Sequence, residues 1–395
     1  MRYNARVDYN TLTFTFFLIF TGAAILASAA LYTRQPIILA HILLGAIIGP
    51  YGLGWINDVA LLEQSGHVGI VFLLFLLGLD MQPQALKSVL RQASIVALAS
   101  SLAFFCVGWL VAEAFGFSRT ETIIIGLSMM FSSTIISIKL LPTTVLHHRR
   151  TGDLIIGLLI LQDLIAIFVL IILLSGASPT SGLEGLGHVL LALPALVLGA
   201  LFLVRYVLLK LIARFDGFHE YIFLLAIGWC LGVAEFAAIL GLSGEIGAFV
   251  AGITLATSPI SQYIAINLKP LRDFFLVLFF FALGARFNLA MIQEILLAAV
   301  TLTILVIALK PLVFRVLLGG LRENKALCWS VGFRLGQNSE FSLLIAYVSA
   351  NVALIGTQAS HLIQAVAILS FVISTYIVIF NFPSPISVSE KLRRD

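Results

Sequence analysis

One acidic residue lies deep inside a long apolar run of the sequence. Asp163, which follows Gln162, is about twelve residues into the run 151–175, and at about 1.5 Å per residue this is close to the centre of a bilayer. An ionised carboxylate is costly there and is rare outside ion pathways and buried ion pairs. Burial disfavours its charged form and a cation favours it, so a proton and a cation compete for the group. We predict that Asp163 binds a proton and a monovalent cation in turn, with a structural Asp paired to a lysine as the alternative.

Two polar clusters interrupt other apolar runs at similar depth. Ser132, Ser133 and Thr134 break the run 120–142, and Gln337, Asn338, Ser339 and Glu340 break the run 326–350. Hydroxyl and amide groups compete with backbone hydrogen bonds, so they suit helices that unwind in the membrane interior. If two such helices cross, opposed helix ends meet, and we predict that Thr134 and Glu340 offset the partial charges. Hydrogen bonding between intact helices is the alternative interpretation.

A lysine deep in another apolar run is a possible ion-pair partner for Asp163. Lys310 precedes Pro311 in the run 291–319. A lysine at such depth either extends its ammonium group to the interface or pairs with a carboxylate, and the sequence leaves both options open. The cysteines have no partners at metal-ligand spacing. We therefore expect no cofactor beyond the transported ions, and the only metal is a monovalent cation at Asp163.

The composition requires a lipid environment for these residues. Of 395 residues 61% are hydrophobic and 11% are charged, and the mean hydropathy is +1.10. This leaves too few polar side chains to cover a soluble globule, which excludes a soluble enzyme or a nucleic-acid-binding module. The apolar runs are near the roughly 20 residues that cross a hydrocarbon core as a helix. We predict an all-α integral membrane protein.

We predict thirteen membrane-spanning helices. Their approximate limits are 11–32, 36–50, 66–80, 92–115, 120–142, 151–175, 187–213, 218–239, 243–257, 268–285, 291–319, 326–350 and 360–382. The first run could pass for a signal peptide, but its length favours a retained helix. With the amino terminus outside, inside loops hold 14 Lys and Arg residues and outside segments hold 4. This asymmetry predicts a cytoplasmic carboxy terminus. Because the loops are short, residues 1–395 are expected to form a single membrane domain without a soluble regulatory domain.

The two halves of the chain resemble each other at an offset of about 206 residues. The matching segments are LLGAIIGP (43–50) with FVAGITLA (249–256), FLLGLDM (75–81) with FALGARF (281–287), and FSSTIIS (131–137) with QNSEFSL (337–343). We assign repeat one to about 11–175, a linker helix to about 187–213 and repeat two to about 218–382. A single span, the seventh, separates the halves, so the two halves cross the membrane in opposite orientations. This arrangement is typical of secondary transporters with a binding site at mid-membrane. A duplication that serves packing alone is the alternative.

Several of these segments resemble one transporter family. FSSTIISIKLLP, followed by TGDLIIGLLILQDLIAI, is similar to the signature of the Kef-type branch of the second cation:proton antiporter family. GQNSEFSLL, FLLGLD and LLGAIIGPYGLG are similar to further family segments in the same order. The resemblance covers nearly the whole chain. It implies a Na+/H+ antiporter-like fold with two crossing discontinuous helices, a homodimer, and a six-helix core that moves against a dimerisation domain.

The resemblance also assigns roles to individual residues. Asp163 matches the family's ion-binding carboxylate, and Gln162 occupies the place where electrogenic sodium antiporters have a second Asp. One carboxylate in place of two suggests a one-for-one, electroneutral exchange, and the Kef type favours potassium. The remaining matches are Ser132 and Ser133 beside the ion, Thr134 and Glu340 at the crossing, and Lys310 in the eleventh span.

The predicted function is exchange of a monovalent cation for H+ by alternating access in a bacterial inner membrane, in support of pH homeostasis. The cation is K+ by preference, with Na+ possible. A K+ channel-like efflux pathway on the same fold is the alternative, although no TVGYG-like filter is present. An intramembrane aspartyl protease needs two carboxylates that share a proton, and the sequence shows no second Asp at this depth.

The sequence departs from the Kef pattern in three places. Kef proteins continue into a nucleotide-binding regulatory domain, whereas this sequence stops at Asp395, so we expect either a shortened chain with a separate or deleted domain, or an ungated relative. The segment SQYIAINLKP (261–270) lacks the His and acidic residues of the family's regulatory loop, so glutathione gating is not expected. Asn338 replaces a small residue common in relatives, which is expected to alter selectivity.

Overall fold

The computed structural model describes residues 12–56, 59–80, 83–141, 150–176, 183–215, 217–258 and 260–384. These residues form α-helices joined by short connections, and the predicted all-α fold class is confirmed. In chain order the helices are α1 (Leu12–Tyr32), α2 (Ile37–Ile48), α3 (Val59–Asp80), α4 (Pro83–Ala114), α5 (Arg119–Met129), α6 (Thr134–Lys139), α7 (Arg150–Gly176), α8 (Leu183–Leu203), α9 (Leu209–Arg214), α10 (His219–Ile239), α11 (Gly244–Ala256), α12 (Ile260–Ala285), α13 (Ile292–Gly320), α14 (Lys325–Arg334), α15 (Glu340–Asn351) and α16 (Thr357–Asn381). A π-helical turn, Val204–Leu208, joins α8 to α9.

Seven described helices contain a stretch that is long and apolar enough to cross a membrane. These stretches are Thr13–Tyr32, Ser94–Ala114, Arg150–Leu174, Leu191–Arg214, Glu220–Ile239, Ile292–Gly320 and Thr357–Asn381. Ile37–Ile48, His67–Leu79 and Gly244–Ala256 are shorter apolar helical stretches. The count of thirteen spans stays a prediction.

Some helices extend beyond the spans predicted for them. We predicted starts at 66 and 92, but α3 begins at Val59 and α4 begins at Pro83. A proline is well suited to the first turn of a helix, where its missing N–H has no partner to lose. Intrahelical hydrogen bonding does not depend on apolar side chains, so hydropathy located the apolar parts of these helices and not their ends.

The chain divides into two compact units. One comprises Met1–Asp80 and Ala192–Ala290, and the other comprises Met81–Leu191 and Met291–Asp395. We call them the first and the second unit. In the first unit α3 packs against α11 and α12, and α2 packs against α12.

Glycines allow the closest helix contacts within the first unit. A methyl group added at Gly45 of α2 would lie 2.0 Å from the carbonyl oxygen of Phe281 on α12. One added at Gly252 of α11 would lie 2.1 Å from the carbonyl oxygen of Phe75 on α3. Both distances are far below van der Waals contact, so only glycine fits. Small residues commonly permit this kind of backbone approach between membrane helices.

The second unit is arranged around long helices and two short pairs. Helix α13 packs against α4, α14 and α16, while α7 packs against α4 and α14. The short pairs are consecutive in the chain, α5 with α6 and α14 with α15, and α15 packs against α5, α7 and α16. The apolar core of this unit includes Val96, Phe104, Leu158, Phe314 and Val331. All residues predicted to form the ion site belong to this unit.

Candidate functional site

Two interrupted helices form the centre of the candidate site. Residues 130–133 separate α5 from α6, and residues 335–339 separate α14 from α15. We call these segments the first and the second break. Thr134 and Glu340 are the first residues of the helices that follow the breaks. The predicted polar residues inside the breaks, all fully buried, are Ser132, Ser133, Gln337, Asn338 and Ser339.

The two breaks bind each other through side chains and backbone carbonyls. Ser132 donates from Oγ to the carbonyl oxygen of Leu335 at 2.8 Å. Gln337 donates from Nε2 to the carbonyl oxygen of Ser133 at 3.4 Å and to Oγ of Ser137 at 2.9 Å. A peptide group freed from a helix must find a partner where water is absent. The polar residues that interrupt the apolar sequence pattern provide those partners.

Helix α16 supports the second break from another direction. The backbone N–H of Asn338 donates to Oγ of Ser370 at 3.0 Å, and Ser374 donates from Oγ to Oε1 of Gln337 at 2.9 Å. Ser339 caps α15 by accepting a backbone N–H through its side chain. Ser370 and Ser374 are not among the site residues predicted from the sequence. Their spacing of four residues, which puts both on one helix face, was the available signal.

Asp163 lies on α7 and faces the first break. Its side chain is buried, with 6% exposure, and Thr134 donates from Oγ1 to its Oδ2 at 3.1 Å. Among the described residues, Oδ1 of Asp163 has no hydrogen-bond partner. The neighbouring Gln162 accepts the backbone N–H of Ser132 through Oε1 at 3.1 Å. A buried carboxylate with an unpartnered oxygen can accept a proton or bind a cation.

The two serines predicted beside the ion have other hydrogen-bond partners. The hydroxyl of Ser132 donates to the second break, as described above. The Oγ of Ser133 accepts the backbone N–H of Ile136 at 3.2 Å and so caps the start of α6. Their contact with an ion therefore stays a prediction.

Glu340 is an acidic neighbour of Asp163. The two residues lie on different helices, and Glu340 is half-buried. Two carboxylates that lie close together repel each other when both are ionised. Sequence analysis placed Glu340 at the crossing but did not predict this interaction with Asp163.

Lys310, considered from the sequence as a possible ion-pair partner of Asp163, binds backbone carbonyls in the structure. In the described part of the chain, no salt bridge within 4.0 Å joins these two residues. The Nζ of Lys310 instead donates to the carbonyl oxygens of Phe131 at 2.6 Å and Gln337 at 3.0 Å. Lys310 is fully buried, so it does not reach an interface either.

A physical reason for this placement is the orientation of the helix ends. The carbonyls that follow α5 and α14 have lost their helical partners and carry negative partial charge. One ammonium group satisfies a carbonyl from each break at once. The Nζ also lies 5.1 Å from the ring centroid of Phe104, a favourable position for a cation. Lys310 therefore joins the two breaks to each other.

A comparison with known families decides the identity of the chain. The family model described as the transmembrane sodium/hydrogen exchanger matches residues 16–380. The chain belongs to this family. It is accordingly a multi-pass membrane protein, in agreement with its apolar helices.

Named relatives of this family member include antiporters from plants and bacteria. K(+) efflux antiporter 4 of Arabidopsis thaliana is 32% identical over 349 residues, which are 86% of this chain and 58% of the relative. The chain thus spans less than two thirds of that protein's length. The Na(+)/H(+) antiporter of Enterococcus hirae is 28% identical over 361 residues, which are 87% of this chain and 91% of the relative.

The fold of the family member is also similar to a solved structure. The sodium proton antiporter MjNhaP1 from Methanocaldococcus jannaschii matches it with a TM-score of 0.71 at 18% sequence identity. The match covers 91% of this chain and 94% of that one. The likeness confirms the Na+/H+ antiporter-like fold at the level of the chain as a whole.

Proposed function

We propose that the chain exchanges a monovalent cation for a proton across a membrane, with Asp163 as the group that binds each in turn. The observation that carries the proposal is the burial of this carboxylate beside two helix breaks, with its Oδ1 unpartnered among the described residues. Water or a transported ion is the natural partner for such an atom, because an unsatisfied buried oxygen is costly. Membership of the exchanger family supports the same function.

The chemistry of the surroundings supports a cation in preference to an anion. Asp163, Glu340 and the hydroxyl of Thr134 contribute oxygen atoms, which alkali and other hard cations prefer as ligands. The buried ammonium of Lys310 binds two carbonyls, and among the described residues no salt bridge joins it to Asp163. A bound proton or a bound cation would therefore neutralise Asp163, and the presence of one would exclude the other.

We propose K+ as the transported cation, with Na+ as the second candidate. The similarity to a plant K(+) efflux antiporter supports K+, and the similarity to a bacterial Na(+)/H(+) antiporter supports Na+. Because both ions take oxygen ligands, the residue types do not separate them. Uptake measured with K+, Na+, Li+ and Rb+ as alternative substrates tests the proposal, and a preference for Na+ over K+ would contradict it.

We propose that the exchange is one-for-one and proceeds by alternating access in two inverted repeats. The packing of the first unit supports the repeat. Under the offset, α2 corresponds to α11 and α3 to α12, and the observed glycine contacts join α2 with α12 and α11 with α3. These are equivalent contacts in the two repeats. The two breaks, at 130–133 and 335–339, are also about one offset apart.

We further propose a homodimer in a bacterial inner membrane, with the amino terminus outside and the carboxy terminus in the cytoplasm. The distribution of Lys and Arg over the loops supports the orientation. Membrane-impermeant labelling of single cysteines in the connections after α4 and after α13 tests it. Labelling of both connections from the same side would contradict it, because one connection is predicted outside and the other inside.

Transport by purified protein in liposomes tests the central function. We expect Asp163→Asn to abolish cation-driven proton movement, because an amide can neither bind a proton at this position nor neutralise a cation. Asp153→Asn is a matched control, since Asp153 lies in the first turn of the same helix and is exposed. We expect this control to transport at the wild-type rate. An unchanged rate in Asp163→Asn would refute the proposal, and currents far above carrier turnover would favour a channel.

A further inference from the structure

Arg334 is a buried arginine next to the second break that the proposed exchange does not use directly. It is the last residue of α14, and only 2% of it is exposed. Neutral oxygen atoms surround its guanidinium group. Nη1 donates to the carbonyl oxygen of Leu140, Nη2 donates to that of Pro383, and Nε donates to Oγ of Ser330 at 3.4 Å.

Through these acceptors the guanidinium of Arg334 connects two parts of the second unit. Leu140 follows the last residue of α6, and Pro383 belongs to the segment 382–384, which follows α16. The guanidinium also lies 5.9 Å from the ring centroid of Phe382, and the ring of Phe333 is 5.4 Å from the same ring. The planar fork of arginine can hold two carbonyls in a fixed relative position, which the ammonium of lysine cannot do in the same way.

Helix α6 lies between Arg334 and the ion site and contacts both. It has six residues, too few to be stable as an isolated helix, so its contacts set its position. At its first residue, Thr134 donates to Asp163, and after its last residue the carbonyl of Leu140 accepts from Arg334. Between them, the Oγ of Ser137 lies 2.6 Å from the carbonyl oxygen of Ser133 and 3.0 Å from that of Arg334. Arg334 therefore contacts α6 along its length through its backbone and at its end through its guanidinium.

We propose that Arg334 is a positioning residue that fixes α6 to the segment 382–384, so that displacement of this segment alters the hydrogen bond between Thr134 and Asp163. The inference rests on the proposed exchange at Asp163 and adds a route by which the chain after α16 regulates that site. A partner, a further domain or a modification that pulls on residues 382–384 would act on cation binding without touching the ion.

Cation-driven proton movement in liposomes, measured over a range of cation concentrations, tests this link. Arg334→Lys keeps the charge and loses the fork, and Phe382→Ala loosens the segment without changing the arginine. We expect each to raise the half-saturating cation concentration about fivefold, within the range of coupled neighbours, at a nearly unchanged maximum rate. Arg315→Lys is the matched control, because that guanidinium lies 4.7 Å from the ring centroid of Trp329 in the same unit.

A double-substitution cycle with Thr134→Val separates positioning from a general loss of stability. If Arg334 acts through Thr134, Arg334→Lys changes the half-saturating concentration less than about twofold once Thr134→Val is present, because the shared contact is already lost. Phe382→Ala should show the same dependence on Thr134. If Arg334→Lys does not fold, the comparison of Phe382→Ala with and without Thr134→Val still tests the link.

Three outcomes would overturn the link. One is the same fold-change in both backgrounds, and another is a lowered maximum rate and unfolding temperature with an unchanged half-saturating concentration. In both cases the wild type still shows Asp163-dependent exchange. The proposed function then stands, and only the proposed role of Arg334 is refuted. Absence of Asp163-dependent exchange in the wild type, measured in the same liposomes, would remove the proposed function and the link together.

Discussion

Glycines permit close helix contacts in both compact units, as at Gly332 against Pro311 in the second unit, but the two breaks belong to the second unit. In the first unit, glycines bring helix backbones into contact, as at Gly45 against α12 and Gly252 against α3. In the second unit, polar side chains and one lysine join the backbones of two interrupted helices. A glycine contact has one close-packed arrangement, whereas hydrogen bonds at a break can exchange partners with water or an ion. We infer that the glycine contacts provide rigidity and the breaks provide a site where binding can change.

The largest expected effect is at Lys310, where one side chain joins both breaks. Lys310→Met leaves two buried carbonyl oxygens without their donor, and each costs about 1–3 kcal/mol. We therefore expect the free energy of unfolding to fall by about 3 kcal/mol or more. Equilibrium unfolding in detergent micelles measures this, with the exposed Lys325→Met as control. A loss no larger than that of the control would contradict the role of Lys310 in the breaks.

A smaller effect is expected from overpacking a glycine contact in the first unit. Gly284→Ala would place a methyl group 1.9 Å from the carbonyl oxygen of Ile42, and such overpacking costs about 1–3 kcal/mol. Gly228→Ala is the control, because nothing lies within 4 Å of an added methyl group there. We expect Gly284→Ala to unfold at a lower temperature than the wild type. The half-saturating cation concentration of the folded variant should equal that of the wild type. A changed half-saturating cation concentration would show that the glycine contacts of the first unit also affect cation binding, which would contradict the comparison.

The smallest expected effect is loss of a single hydroxyl from the first break. Ser132→Ala removes the hydrogen bond to the carbonyl oxygen of Leu335, which should lower the free energy of unfolding by about 1–2 kcal/mol because a buried acceptor is left unpaired. Ser28→Ala removes an exposed hydroxyl that bonds within its own helix and should have almost no effect. The unfolding temperatures of the two variants, measured against the wild type, test this difference. Equal stability of the two would mean that water readily replaces Ser132.

The sequence was sufficient to find the polar parts of the site. In a chain this apolar, Asp163 and the two polar clusters stand out, because each has a physical cost that needs a reason. The offset of about 206 residues between similar segments predicts that the two clusters are equivalent positions of a repeat. The described helices are interrupted at both clusters. The family resemblance added the fold, which the comparisons confirm.

The particular carbonyls that bind the buried cations could not be identified from the sequence. Lys310 and Arg334 both bind backbone carbonyls, and a carbonyl loses its helical partner where a helix is interrupted or ends. The side-chain types left open whether Lys310 pairs with a carboxylate or extends to the interface, and in the structure it binds the freed carbonyls of Phe131 and Gln337. Which carbonyls these are depends on how the two breaks meet, and the local sequence does not specify that.

The central claim is that a proton and a cation compete for Asp163. The most direct test is the half-saturating K+ concentration for exchange by the wild type in liposomes, measured at several pH values. Competition predicts that this concentration rises as the pH falls while the maximum rate at saturating K+ is preserved, and that Asp163→Asn shows no exchange. A half-saturating concentration that stays constant across pH, with transport still dependent on Asp163, would contradict the account.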